Sequence, residues 1–210
     1  MDKMNRNTTK FKAINLKFDK QIFQDKLSLI EQDNMLPDNK AKGVSTCWIE
    51  GKPMFADIYH YTKKIADTLN CGFSRACFST QMYSDSHLPP HIDFDDDLMK
   101  EDIHGEIYSL IIPLKGKGTT TFFKLLEEDN GPHIDNWRYR HDVLYDPFDK
   151  TKKEKLQIED KIEITEPTIL RVSYPHSVTV IESPRITYHV KLLRCKYDLN
   201  TVAKKLEMLG

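Results

Sequence analysis

The chain has 210 residues, with 31 basic and 32 acidic side chains and a formal net charge of −1. This length suits one domain with a sizeable core, so a single domain spanning 1–210 is expected. The balanced charge gives no support for a nucleic acid or an anionic membrane as partner. Four cysteines without metal-binding spacing, no long apolar stretch and no apolar leader favour a soluble, cytoplasmic protein.

Two helices are predicted in the first 72 residues. The first begins after the N-cap residue Asp19 and carries an apolar stripe that reaches Ile30. The second spans about 56–69 and ends at Asn70, where a residue that tolerates the left-handed conformation precedes Cys71 and Gly72.

From residue 73 onward the pattern changes to short strands. Seven strands are predicted between Gly, Pro, Asn and Asp residues: 73–83, 106–114, 119–126, 158–164, 168–174, 177–181 and 185–193. Many short strands without intervening helices favour an antiparallel sandwich or barrel. The domain therefore divides into a support of helix and strand (1–72), a core (73–195) with a polar insertion (127–157), and a C-terminal helix (196–210) that opens near Asn200.

His91-Ile92-Asp93 indicates a metal site. On a strand, side chains two residues apart face the same way, so an imidazole and a carboxylate can reach one ion without bending the backbone. Ile92 and Phe94 alternate with polar residues, which is typical of a strand with one polar face. Two imidazoles and one carboxylate on one face of Fe(II) leave three coordination positions open.

The motif alone does not select the site. Eight histidines and 32 acidic residues give roughly one His-x-Asp/Glu match by chance, and the chain contains three. His133-Ile-Asp135 lies in a turn-rich loop and is interpreted as a surface pair. His104-Gly-Glu106 remains an alternative to His91 and Asp93, as does Asp95, which shares a strand face with Asp93. The non-functional alternative is a solvated acidic turn.

The second imidazole is predicted to be His176, which lies on the apolar face of its strand. Downstream, one face of the next strand carries Arg185, Thr187 and His189, and the other face carries Tyr188. If the apolar face packs on helices, the polar face points into the barrel. A buried arginine needs an anionic partner, and no carboxylate lies nearby in the sequence. A ligand carboxylate bound by Arg185, with a hydrogen bond from Thr187, is therefore expected.

These residues resemble the signature of the Fe(II)/2-oxoglutarate-dependent oxygenase superfamily, which is His-x-Asp, a distal histidine and a downstream basic residue. The resemblance covers roughly residues 74–194 and is strongest to the prolyl-hydroxylase-like branch. Phe78–Tyr83, leading to His91, resembles the strand that carries a tyrosine near the co-substrate. Gly118-Thr-Thr-Thr-Phe122 is similar to a Gly-Gly-x-Thr-x-Phe strand of that branch, although Lys117 replaces its first glycine.

The resemblance implies a mainly β protein with flanking α-helices, built on a double-stranded β-helix core (jelly-roll, cupin-like) with the N-terminal helices packed on it. The implied metal ligands are His91, Asp93 and His176. 2-Oxoglutarate would chelate Fe(II), with its 5-carboxylate on Arg185 and Thr187 and a further hydrogen bond from Tyr83. Lys124 is a rival carboxylate partner. The implied reaction consumes dioxygen, releases succinate and CO₂ and hydroxylates the substrate, with ascorbate as a candidate reductant.

Two other functions fit the same residues. One is a cupin-type metalloenzyme that does not use 2-oxoglutarate, and the other is a catalytically silent jelly-roll binding module. The pair Arg185 and Thr187 argues against the first, and the intact ligand set argues against the second. The expected substrate is a peptidyl side chain, prolyl-like, or a small amino-acid-like molecule. The aromatic residues in 127–157, such as Trp137, suit either a substrate lid or a solvated loop.

Overall fold

The structure is a computed structural model that describes residues 9–17, 20–32, 44–83, 87–91, 106–125 and 156–209. Its strands are, in chain order, β1 (Phe11–Ala13), β2 (Val44–Trp48), β3 (Gly72–Gln81), β4 (His87–His91), β5 (Glu106–Leu125), β6 (Leu156–Glu163), β7 (Thr168–Arg171) and β8 (His176–Cys195). The helices are α1 (Lys20–Gln32), α2 (Ala56–Leu69) and α3 (Leu199–Glu207). In these described segments no helix is long and apolar enough to cross a membrane.

The antiparallel ladder between β5 and β8 organises the sheet. Glu106 pairs with Cys195 at one end and Phe122 pairs with His176 at the other. The first part of β5 and the second part of β8 also pair with β7 and β3, whereas the other parts pair with β6 and β4. Two four-stranded layers therefore share the same two long strands, and β1 and β2 extend one of them.

Gly116 allows β5 and β8 to stay paired where the ladder changes register. Its φ is +66°, in the left-handed region, and a Cβ at this position would collide with the carbonyl oxygens of Glu182 and Pro184. The same Cβ would lie only 2.9 Å from the Cα of Arg185. A residue with a side chain would thus be strained by its conformation and would also force the two strands apart.

The structure corrects the predicted strand boundaries. The sequence pattern predicts separate strands at 106–114 and 119–126, but these are one strand because pairing continues through the register shifts. The predicted strand 168–174 ends at Arg171, since a turn follows in which Tyr174 N donates to Arg171 O at 3.3 Å. The short helix α3 begins at Leu199, one residue before the prediction, because the Asp198 side chain caps it.

The two faces of β8 differ as the alternation predicts. Tyr188, Val190 and Leu192 are buried in the main core with residues of the three helices, such as Phe23 and Ile65. This is the outer face of the layer, and the helices cover it.

The opposite face of β8 borders a smaller group of apolar residues, here called the inner cluster: Ile111, Phe122, Ile164, Leu170 and Val172. Ile111 is the cross-strand partner of His189, and Phe122 is the partner of His176. Because directly opposed residues face the same side of a sheet, both histidines lie on this inner face.

Tyr188 links the sheet to α2. Thr62 Oγ1 donates to Ile58 O at 2.8 Å, so the Tyr188 hydroxyl, 2.5 Å from Thr62 Oγ1, is the donor in their hydrogen bond. Burial raises the pKa of both Tyr188 and Tyr61. However, the buried Tyr61 hydroxyl has no hydrogen-bond partner among the described residues.

Replacing Tyr188→Phe should lower the free energy of unfolding by about 1 kcal/mol, which is roughly 2–4 °C in melting temperature for a chain of this size. Tyr61→Phe is the matched control, since it removes a buried hydroxyl that bonds to no described group, and it should cause no loss. Thermal unfolding followed by circular dichroism measures both variants. Equal losses in the two variants would contradict the assigned hydrogen bond.

Candidate functional site

The backbone brings two of the predicted metal-ligand positions together. β4 pairs with β8 in a register that shifts after Leu88 and places His91 opposite His176. Directly opposed residues of an antiparallel pair have Cβ atoms about 4.5–5.5 Å apart. Only the backbone of His91 is described. Asp93 lies outside the described residues, as do the alternatives Asp95 and His104.

Within the described side chains, no three His, Cys, Asp or Glu residues form a group that could hold a metal. The predicted set contributes one described side chain to that search, His176. The ligand set therefore stays a prediction, supported by the register of the two histidines.

The imidazole of His176 is held in a defined tautomer. The side chain is 4% exposed, and Nδ1 lies 2.9 Å from the carbonyl oxygen of Tyr174. A carbonyl oxygen only accepts, so Nδ1 carries a hydrogen, and in the neutral ring Nε2 carries the lone pair. The ring lies 6.0 Å from the ring of Phe122, centroid to centroid. His176 thus has the tautomer that suits a metal ligand through Nε2.

The turn that supplies this carbonyl is fixed by two cations. Lys10 Nζ lies 4.2 Å from the centroid of the Tyr174 ring, and Arg171 Cζ lies 4.8 Å from it. Lys10 is itself buried and forms an ion pair of 3.1 Å with Glu159. Residues before β1, on β6 and at the end of β7 therefore converge on the turn that orients His176.

Arg185 is a deeply buried cation on β8. Its side chain is 3% exposed, and Nη1 donates to Gln81 Oε1 at 2.6 Å. Removal from water lowers the pKa of the guanidinium from its usual value to about 10. Arg185 stays protonated at neutral pH. Burial of its charge therefore lowers the free energy of unfolding by an amount on the order of 3 kcal/mol at any pH below about 10. Among the described residues no carboxylate pairs with it.

Gly118 makes room for Arg185. A Cβ on Gly118 would collide with Arg185 Nε and would lie 2.6 Å from its Cδ. The inner face of β5 therefore runs from Phe122, opposite His176, past Thr120 to the guanidinium that lies against Gly118. Four residues of strand span about 13 Å. His176 and Arg185 are thus placed at two ends of one interior surface.

Thr187 lies two residues beyond Arg185 on the same face. Its side chain is 1% exposed, and Oγ1 lies 2.6 Å from His189 Nε2. If His189 donates through Nε2, the Thr187 hydroxyl keeps its own hydrogen for another acceptor. Arg185 and Thr187, the two residues predicted to bind a carboxylate, are therefore both buried on the inner face.

Tyr83 lies two residues after the end of β3, and its side chain is 60% exposed. Gln81, the last residue of β3, is 1% exposed and is the cross-strand partner of Arg185. Sequence reasoning missed Gln81, although it shares strand parity with Tyr83. For the rival Lys124 the structure describes only the backbone, which pairs with Gln157 of β6.

Three buried polar groups on the inner face have no hydrogen-bond partner among the described residues: Gln81 Nε2, Thr120 Oγ1 and Arg185 Nη2. A buried polar group left without a partner costs about 1–3 kcal/mol. Two of the three are obligate donors, and one of these is cationic. The donor set fits an anionic group with several acceptor atoms, such as a carboxylate.

No family model and no curated protein matches the sequence. Solved structures do match the fold. A prolyl-4-hydroxylase from Pseudomonas putida superimposes with a TM-score of 0.53 and 12% identity, covering 89% of this chain and 94% of that one. A prolyl hydroxylase from Trichoplax adhaerens, in complex with a hypoxia inducible factor oxygen degradation domain peptide fragment, gives 0.53 and 13%, covering 97% and 88%.

HygX from Streptomyces hygroscopicus, with nickel and 2-oxoglutarate bound, also matches, with a TM-score of 0.53, 15% identity and coverage of 89% of this chain and 84% of that one. At such low identities the likeness shows the fold. The chain has the double-stranded β-helix fold of the Fe(II)/2-oxoglutarate oxygenases, which confirms the mainly β jelly-roll expected from the sequence.

Replacing Gly118→Ala should lower the free energy of unfolding by about 1–3 kcal/mol, because the added methyl group overlaps the buried side chain of Arg185. Gly72→Ala is the control: its Cβ would meet only Leu193 Cβ, at 3.9 Å. Urea unfolding monitored by fluorescence compares the two variants. A Gly118→Ala protein as stable as Gly72→Ala would contradict the close packing of Arg185 on β5.

Proposed function

We propose that this protein is an Fe(II)- and 2-oxoglutarate-dependent dioxygenase that hydroxylates a peptidyl side chain or a small amino-acid-like molecule and releases succinate and CO₂. The observation that carries the proposal is the buried guanidinium of Arg185, whose Nη2 has no partner among the described residues. A buried cation without an anion is unfavourable. The distal carboxylate of 2-oxoglutarate is an anion that suits this fold and this position on β8.

The proposed metal ligands are His91, Asp93 and His176. When bound there, Fe(II) and 2-oxoglutarate supply the dioxygen-dependent oxidation. The chain contributes the orientation of the ligands. Hydrogen bonding of Nδ1 to the Tyr174 carbonyl presents Nε2 of His176 as the ligating nitrogen, and the strand register sets His91 beside it.

The proposed carboxylate site is Arg185 with Thr187, and Tyr83 is a further proposed hydrogen-bond donor to the co-substrate. The guanidinium offers a fixed charge and a fixed direction, because Gln81 and Gly118 hold it in place. Between His176 and Arg185, the surface of β5 presents Phe122 and Thr120. Phe122 would shield the chain of a bound co-substrate from water, with His176 and Arg185 at its two ends.

The nature of the substrate is proposed from two similar structures. The Trichoplax adhaerens enzyme was solved with a peptide fragment, and HygX was solved with hygromycin B, a small molecule. A peptidyl or small-molecule substrate is consistent with both. The polar insertion 127–157, interpreted from the sequence as either a substrate lid or a solvated loop, falls almost wholly outside the described residues.

Anaerobic titration with Fe(II) and 2-oxoglutarate tests the cofactor assignment. The wild-type protein should develop the weak visible charge-transfer band of the Fe(II) chelate, and His176→Ala should lose it because a ligand is removed. Ser177→Ala is the control, since that neighbour faces the other side of β8. Fe(II) binding without the band in wild-type protein would instead favour the cupin-type metalloenzyme.

Steady-state kinetics test the carboxylate assignment. Arg185→Ala should raise the apparent KM for 2-oxoglutarate about 10-fold or more and leave Fe(II) affinity nearly unchanged, because it removes a charged hydrogen-bond donor and no metal ligand. Arg194→Ala, an exposed arginine on the same strand, is the control for loss of charge. An unchanged KM in Arg185→Ala would show that another residue binds the carboxylate.

A further inference from the structure

Gln81 is placed where it can do more than hold Arg185. It is 1% exposed, it ends β3, and its side chain meets Arg185 across the strand pair. The Nη1 atom of Arg185 donates to Gln81 Oε1 at 2.6 Å. This contact uses the oxygen of the Gln81 amide and one of the two terminal nitrogens of the guanidinium.

The orientation of the Gln81 amide follows from the chemistry of its partner. A guanidinium has donors only, so the amide oxygen must face Arg185 and the amide nitrogen must point away from that contact. Gln81 Nε2 is buried and has no hydrogen-bond partner in the described part of the chain, and the same holds for Arg185 Nη2. The two side chains are therefore joined by one hydrogen bond, and each has a buried donor without a described partner.

We propose that Gln81 is a further carboxylate-binding residue beside Arg185 and Thr187: Gln81 Nε2 and Arg185 Nη2 each donate to the distal carboxylate of the co-substrate. The inference rests on the proposed 2-oxoglutarate-dependent function and adds a specificity-determining residue to it. A dicarboxylic oxo acid satisfies both donors and neutralises the cation, whereas an oxo acid with an apolar end leaves both donors buried without acceptors. Gln81 thus selects against 2-oxo acids that lack the second carboxylate.

Calorimetric binding to protein loaded with Mn(II) tests this, with 2-oxoglutarate compared with 2-oxopentanoate, which has a methyl group in place of the distal carboxylate. Gln81→Leu should weaken 2-oxoglutarate about 10-fold, since it removes one donor and the support of Arg185. Gln81→Glu should weaken it about 100-fold or more, because its own carboxylate occupies the guanidinium. Neither change should weaken 2-oxopentanoate.

Thr80→Val is the matched control. Thr80 is the adjacent residue of β3, is 2% exposed and has a hydroxyl without a described partner, but it pairs with Ile186 and faces the opposite side of the sheet. It should leave the affinity for both oxo acids unchanged. The melting temperature of each variant checks folding, and Gln81→Glu should not melt below wild type because it places an anion beside the buried cation.

The outcomes separate the two proposals. Wild-type affinity for 2-oxoglutarate in both Gln81 variants overturns the role of Gln81 and leaves the proposed function standing. If wild-type protein binds neither oxo acid, the proposed function fails. The carboxylate site is then judged on metal-free protein, by the rise in melting temperature with glutarate relative to pentanoate. Equal rises in melting temperature in wild type and Gln81→Glu would overturn the role of Gln81.

Discussion

The continuous pairing of β5 with β8 is the constraint on which the rest of the structure depends. Each strand bends without leaving the other. The part of the ladder with which β3, β4, β6 or β7 pairs therefore decides the layer to which that strand belongs. The bend requires Gly116, because carbonyl oxygens of β8 occupy the space of any side chain there. The same ladder carries His176 near one end and Arg185 just past the bend.

The charge of Arg185 gives the interior its chemical character. A jelly-roll core filled only with apolar side chains would gain from burial without this cost. Here the inner face of β8 instead carries a guanidinium and a threonine hydroxyl, and the apolar residues are reduced to a small cluster beside them. The main core lies on the other face, under the helices, and stabilises the sheet. The main apolar core and the buried polar groups thus lie on opposite faces of the same strands.

The sequence predicted what depends on local pattern. The bounds of α2 were found because its apolar stripe ends at Asn70, which adopts the left-handed conformation of a C-cap. The alternation around Tyr188 correctly gave the two faces of β8. The merging of the predicted strands into β5 was missed, because continuity of pairing depends on partners distant in the chain. The strands β1 and β2 have three and five residues and give too short a pattern to detect.

Gln81 shows the same limit at the site. A glutamine at the end of a strand has no local signal, and its meaning comes from a hydrogen bond to a residue 104 positions later. Arg185 was found because it lies on the polar face of its strand, where a buried charge needs an anionic partner. His91 was predicted as a ligand from motif spacing and His176 from its place on its strand, whereas the register that sets the two side by side is a property of the folded chain alone.

Formation of the turn that orients His176 is tied to the slowest kind of contact in the chain. Lys10 reaches the Tyr174 ring, and β1 pairs with β7, a strand about 160 residues later in the sequence. Closing a loop of that length costs less entropy once the intervening sheet is assembled. We therefore expect the native environment of His176 to form after the β5 and β8 ladder. A chain arrested at that ladder would lack an ordered imidazole at His176.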